Sequence, residues 1–458
     1  MLPITTIILG PDDYGAFALA SVITSLPSSL ACLGFSILLP KAFLIGNPVD
    51  LRLLISYQIL ISILLASLFS IFIIISWPIY VGYFPVLRSL PYIGVLLSAV
   101  SILPFTVWSI ATEVITLDGR SKTFSQISII QSLMSSLCLL ICLFVFNLGG
   151  LSLFISGFVG TCLIGVGGLL CLRRYYVRIP FSWKILNVFN GAFSLTSSNL
   201  IEIFYQPLER NLLAVNSGVY SLGSYIHAQY YQNIISTLVK ALSRAIWPIT
   251  LAEARLPGMA FSDTKRFWQL IYVLLAIVGV AFAAFGDILI GLLTNGKFSQ
   301  SGAMASMCIA WLFVAYSGRP HMGLLLANGQ PSAYGRFNSI SSIAAIVSAF
   351  VSIPLLGPWG AILSMYNKQI IMRVSIQIYC RRFGRLPFLD IGVVEGLFLV
   401  SFVTVLCHLR NPSIIERAEI FMLSFILVFV YHLTFAKLAS SVDLLKSRNF
   451  IAFPKILH

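Results

Sequence analysis

Apolar runs with few or no charges divide this chain. They centre on residues 14–39, 54–76, 90–117, 125–145, 149–172, 187–207, 217–240, 268–286, 301–327, 338–356, 358–380, 391–409 and 420–436. A helix needs about 20 apolar residues to cross the roughly 30 Å hydrocarbon of a bilayer, and these runs approach or exceed that length. Residues 123 to 172 hold 50 consecutive uncharged positions, too many for one crossing, and Asn147-Leu148-Gly149-Gly150 splits them in two. The pattern predicts an all-α polytopic membrane protein with thirteen spans. Before the first run stand a polar turn, Pro11-Asp12-Asp13, and the apolar stretch Met1 to Leu9, about 13 Å as a helix. The expectation is a fourteen-helix pattern whose first helix is mostly missing. Met1 to Leu9 carries no basic residue and makes a poor signal peptide.

Basic residues give the orientation. Taking alternate connections together, with the helix ends beside them, puts 24 Lys and Arg on one side and 5 on the other, Arg88, Arg210, Lys297, Arg410 and Arg417. Cytoplasmic loops collect positive charge, so the larger group, including Lys437 to Lys455, is expected inside together with the C-terminus.

An internal repeat adds a second level. Asp118–Gly150 matches Asn328–Gly360 at an offset of 210 without a gap, pairing Gly119 with Gly329 and Gly150 with Gly360. The span after each block ends in paired arginines, Arg173-Arg174 and Arg381-Arg382, and "YGAFALA" at 14–20 echoes "GVYSLGS" at 218–224. Parallel repeats are a transporter architecture. Counting the missing helix as first, helices 1–6 match helices 7–12, and two helices are extra. The expected division is 1–180 for an N-terminal bundle, 181–385 for a C-terminal bundle and 386–458 for two further helices and a cytoplasmic tail. The offset also places Arg319 and His321 opposite Ser109 and Ala111, inside a span that continues past Pro320 to Ala327.

Composition agrees with the membrane class. The chain of 458 residues is 58% hydrophobic and 10% charged. Its net charge of +14 suits inner-leaflet loops, and no nucleic-acid partner is expected. The eight cysteines lie in or beside apolar runs and form no CxxC pair, so neither a disulfide framework nor a metal site is read.

Ionisable groups inside spans are expensive and are functional candidates by default. Lys368 lies about ten residues, roughly 15 Å, from the outer end of its helix. Arg319 lies roughly 12 Å inside the cytoplasmic end, and Arg373 is deeper toward the cytoplasm than Lys368. Each also has a snorkelling reading, with the charged head reaching lipid headgroups. Tyr225, Gln229, Gln232, Ser236 and Lys240 fall at spacings of four, three, four and four on one helix. That polar stripe either packs on other helices or faces water and sugar hydroxyls. Ser194, Ser197 and Ser198 either add to it or permit close helix packing. Glu202, an acid within a span, takes up a coupling proton or pairs with Arg210.

"LGPDDYGAFALA", "LDGRSKTF", "NLGGLSLFISG", "PLERNLLAVNSGVYSLGSY" and "LLGPWGAILS" occur in this order along the chain. In their order and spacing they resemble the polysaccharide-transporter branch of the MOP superfamily, O-antigen and capsule-unit flippases of the Wzx type. The resemblance implies a MOP/MATE-like fold, two six-helix bundles related by a pseudo-two-fold axis. It implies export of an undecaprenyl-pyrophosphate-linked oligosaccharide across the bacterial inner membrane by alternating access. In that reading Lys368, Arg319 and Arg373 hold the pyrophosphate, and Tyr225, Gln229, Gln232 and Ser236 meet the sugars. The expected surroundings and partners are membrane lipids and glycan polymerase machinery. No cofactor is expected, and coupling to a proton or sodium gradient stays open. Two alternatives remain. A MATE-type drug or cation antiporter would place acids in the N-terminal bundle, where only Glu113 and Asp118 stand near a cytoplasmic end. A membrane-embedded glycan polymerase or acyltransferase would show a large charged external loop or a nucleophile motif, and neither is present, so no enzyme is expected.

Overall fold

The computed structural model describes residues 5–6, 8–32, 48–83, 90–118, 120–177, 184–255, 262–327, 331–380, 391–410 and 412–436. The described chain is all-helical: α1 (Pro11–Ala31), α2 (Pro48–Tyr83), α3 (Tyr92–Val100), α4 (Ile102–Leu117), α5 (Ser121–Phe144), α6 (Leu151–Leu172), α7 (Lys184–Arg255), α8 (Ser262–Leu293), α9 (Ser301–Ser317), α10 (Arg319–Ala327), α11 (Pro331–Leu356), α12 (Pro358–Cys380), α13 (Ile391–Arg410) and α14 (Ile414–Ala436). Lys41, Gly119, Gly329, the Arg381-Arg382 pair and the tail from Lys437 lie outside the described residues, as do the side chains of Ser194, Ser197 and Ser198.

By length and apolarity, eight described segments can cross a membrane, and they coincide with eight of the thirteen expected runs. The other five runs are helical too, within α7, α12, α13 and α14. Of these, α7 and α12 carry the polar residues of the candidate site. A span that presents acids, amides and a lysine to its neighbours cannot also be uniformly apolar.

The expected connection between residues 207 and 217 is corrected by α7. Helix runs on to Ser217, and Gly218 alone leaves helical geometry, at φ 84° and ψ 163°. A straight helix would hold Glu209 and Tyr225 about 24 Å apart, yet their side chains meet at 2.6 Å. The chain therefore doubles back at Gly218, in a backbone region that glycine enters without a Cβ penalty. Arg210 is a helical residue, not a loop residue.

The chain forms two compact units, whose boundaries cut through α7 and α12. One comprises Met1–His227, Leu293–Lys297 and Gly335–Lys368; the other comprises Ala228–Leu292, Phe298–Tyr334 and Gln369–His458. In the first, Ile55 and Ile59 of α2, Val107, Ile110, Ala111, Val114 and Ile115 of α4 and Leu172 of α6 form a buried core. Leu64, Leu68, Phe72 and Ile75 of α2 and Ile129, Leu133 and Leu137 of α5 point outward, as lipid-facing positions do. The expected span 90–117 is broken at Ser101, and Pro104 in the first turn of α4 lacks an N–H. Neighbouring hydroxyls bond the backbone carbonyls around the break: Thr24 to Ser98 at 2.9 Å, Ser70 to Ala99 at 2.8 Å and Ser28 to Ile102 at 3.3 Å. Such compensation is what lets a broken helix persist in hydrocarbon.

The echoing segments 14–20 and 218–224 approach each other in this unit. A Cβ at Gly15 would collide with the Val219 carbonyl, and one at Gly223 with the Pro11 carbonyl. The N-terminal part of α1 and the start of the second arm of α7 thus lie backbone to backbone. The matched glycines Gly150 and Gly360 both mark close approaches, but to different partners: the Asp13 side chain and the Ser352 carbonyl.

In the second unit α9 is the buried centre, with most of its residues shielded. It packs on α13 through Ser306 and Thr404, hydroxyl to hydroxyl at 2.9 Å, and through Phe313, which fills the space beside Gly396. The expected span 301–327 is realised as α9 and α10, interrupted at Gly318.

Candidate functional site

Glu202, Tyr205 and Glu209 recur at intervals of three and four, which places them on one face of the first arm of α7. On α12, Lys368 follows Met365 by three positions and Ser364 by four, which puts all three on one side of that helix. These two faces meet. The Lys368 ammonium lies 2.7 Å from Glu202 Oε1, and Asn338 of α11 donates its amide to Glu202 Oε2. The same ammonium sits 5.4 Å from the centre of the Tyr205 ring, a cation–π distance. The Tyr205 hydroxyl bonds Ser364 Oγ at 2.7 Å. From the second arm of α7, Tyr225 donates to Glu209 Oε1 at 2.6 Å and touches Met365. Tyr225 is 0% and Glu209 2% exposed, so this contact is sealed.

The sequence-derived residues are therefore distributed as follows. Lys368 is buried on α12 and is matched by a carboxylate rather than standing alone. Glu202 pairs with Lys368. Arg210, its other expected partner, donates instead to the Ala18 carbonyl at 3.2 Å and Ser21 Oγ at 2.6 Å. Arg319 opens α10 with its guanidinium 5.7 Å from the Tyr316 ring centre. Arg373 is half-buried on α12, five positions beyond Lys368 and so on a different face. The polar stripe does not act as one surface. Tyr225 faces Glu209, whereas Ser236 bonds the Tyr316 hydroxyl at 3.1 Å; Gln232 is buried and Gln229 half-buried.

Around Tyr316 the second unit builds an aromatic tier. Trp268 stacks on Tyr316 at 6.1 Å, and Tyr272 stacks on Phe313 at 6.3 Å. Sequence reasoning missed Glu209, Tyr205, Asn338 and Ser364. The 202/205/209 spacing was available as a signal, but ending the span at residue 207 hid Glu209 from it.

Among the described residues no cluster of His, Cys, Asp and Glu has the make-up of a metal site. Chemically the arrangement offers a neutralised cation, a buried acid and several hydroxyls, with no nucleophile activated by a base.

A family model described as "Polysaccharide biosynthesis protein" matches residues 6–320. No protein among the curated sequences compared with this chain matches it. The solved structure of the lipid II flippase MurJ in an inward closed conformation is similar in fold, with TM-score 0.66 at 13% identity, over 95% of this chain and 96% of that one. An inward-facing multidrug resistance MATE family transporter of the MOP superfamily gives TM-score 0.55 at 12% identity, over 88% of this chain and 94% of that one. With its apolar helices and a match over most of its length, the chain belongs to the polysaccharide biosynthesis protein family, as a multi-pass membrane protein with the fold of the MOP-superfamily transporters.

Proposed function

We propose that this protein flips an undecaprenyl-pyrophosphate-linked oligosaccharide, an O-antigen or capsule unit, across the bacterial inner membrane. The observation that carries the reading is the Lys368–Glu202 pair, held at 2.7 Å inside helices of a polysaccharide biosynthesis protein. A charge pair that joins a buried ammonium to a half-exposed carboxylate is a poor device for stability, because desolvation of the lysine offsets much of the Coulomb gain. It is a good device for exchange. A pyrophosphate brings oxygens that can replace Glu202 on the ammonium, so Lys368 is released to the substrate without ever being unpaired in a low dielectric. Arg319 and Arg373 supply further cations as the headgroup moves, and a guanidinium can grip phosphate oxygens in pairs. Of the polar stripe, Gln229 and Gln232 serve the sugar hydroxyls, since Tyr225 and Ser236 are taken by Glu209 and Tyr316.

The two repeats, 1–180 and 181–385, act as bundles alternating access, with 386–458 appended and the C-terminus cytoplasmic. A polymerase consumes the exported unit. The MurJ-like fold supports this reading by analogy, since the solved relative is a lipid II flippase.

The test is the double substitution Lys368→Gln with Arg319→Gln. Surface-glycan display should be lost while the protein still inserts. Normal display from an inserted double mutant would overturn the phosphate role. A second reading, a drug or cation antiporter, gains from the buried acid Glu209. It predicts that the same mutant loses cationic-dye efflux and keeps its glycan.

A further inference from the structure

Resting on the flippase reading, we infer that Asn338 is the positioning residue of the Lys368–Glu202 exchange. It holds Glu202 in place, so that the lysine rather than the carboxylate moves to the pyrophosphate of the substrate. Asn338 stands on α11, is 2% exposed and donates its side-chain amide to Glu202 Oε2. Lys368 Nζ donates to the other oxygen, Oε1, at 2.7 Å. Each carboxylate oxygen thus has its own donor, one charged and one neutral.

The two donors differ in what they can do next. The ammonium ends a flexible four-carbon stem, and the Tyr205 ring centre, 5.4 Å away, offers it a second, neutral partner. The amide of Asn338 is short and buried against its own helix. When a phosphate oxygen takes over the ammonium, Glu202 loses one donor and keeps the other. Its side chain is 45% exposed, so water reaches the vacated oxygen. A carboxylate with no second donor would hold the lysine harder, because it would be left bare of protein partners on separation. Asn338 therefore lowers the cost of releasing Lys368. It also keeps Glu202 at hand to take the ammonium back when the substrate leaves. No covalent bond changes and no proton moves: an ammonium–carboxylate contact is replaced by an ammonium–phosphate contact.

The experiment titrates the full chain in detergent with farnesyl pyrophosphate, a soluble short polyprenyl pyrophosphate, and reads affinity by calorimetry. Wild type should bind, and Lys368→Met should lose most of that affinity. Glu202→Gln removes the competitor for the ammonium and should bind more tightly. Asn338→Leu should bind about tenfold more weakly than wild type, the size of one hydrogen bond to a charged group. Asn338→Gln keeps the amide donor and should lie nearer wild type. In the Glu202→Gln background Asn338→Leu should change nothing measurable, because no carboxylate is left to hold. A residue that served only the fold would weaken binding equally in both backgrounds. That result, wild-type affinity in Asn338→Leu, or lost binding in Glu202→Gln would each overturn the role of Asn338, while dependence on Lys368 would keep the flippase reading. A wild type that does not bind, or binding indifferent to Lys368→Met, would remove the flippase reading and the role of Asn338 with it.

Discussion

Lys368 and Arg319 are both cations inside helices, both beside a tyrosine ring, and they are held by different physics. Lys368 is 2.7 Å from a carboxylate and 5.4 Å from the Tyr205 ring centre. Arg319 lies 5.7 Å from the Tyr316 ring centre, and among the described residues no carboxylate is within ion-pair distance of it. A ring face attracts a cation without cancelling its charge, whereas a carboxylate cancels it. In the proposed reading, Arg319 presents its charge to an incoming phosphate at once, whereas Lys368 first exchanges Glu202 for it; the first arrangement would suit capture, the second a step that is reversed when the substrate leaves.

The largest effect that could break this contrast is on the exchangeable pair. Removing one partner of a buried pair costs about 3–5 kcal/mol. The Glu202 side chain is 45% exposed, so solvent discounts that to about 1–2 kcal/mol. Lys368→Met should lower stability in detergent by that amount, read as a fall in the thermal midpoint, and adding Glu202→Gln should recover at least half of it. A single mutant as stable as wild type would mean that the pair is not coupled. Arg319→Gln should cost less, about 0.5–1 kcal/mol, the scale of an exposed cation–π contact. An equal or larger loss would show that Arg319 holds structure rather than waiting for substrate. Tyr316→Phe sharpens the point: it keeps the ring and removes the 3.1 Å bond to Ser236, so stability should fall by about 1 kcal/mol while glycan display is unchanged.

The smallest effect lies outside the spans. Tyr175, past the end of α6, donates to Asp118, which also pairs with Arg120 at 3.3 Å. Burial first, then the Asp118 carboxylate, push its phenol from the ordinary 10 up to about 12. The folded value is the higher one, so this contribution to stability is intact below pH 10 and is lost as pH rises from 10 toward 12. Tyr175→Phe should flatten the alkaline limb of the stability curve, and ultraviolet titration should show one fewer late-ionising phenol. An unchanged alkaline limb would remove the bond from the account.

Much of the fold could be read in the chain itself. Burying about 20 residues of helix in hydrocarbon demands a run of apolar side chains, and eight such runs stand in the structure where the pattern puts them. The repeat glycines could be read for a related reason: Gly150 and Gly360 sit where a Cβ has no room. The hairpin at Gly218 was harder. One non-helical residue reverses the chain, and one glycine among apolar neighbours is too weak a signal to separate a turn from a helix that merely tolerates it. Taking the connection to begin at residue 207 then removed Glu209 from the candidate site.

The sequence by itself determined that the chain lives in a membrane and where its apolar helices run, because hydropathy and spacing are properties of position along the chain. Only the tertiary structure decided which acid answers Lys368 and which phenol answers Glu209. Glu202 and Lys368 are separated by 166 positions. Electrostatic pairing falls with distance in space and takes no account of separation in sequence, so the partner became visible only when α7 and α12 were laid face to face.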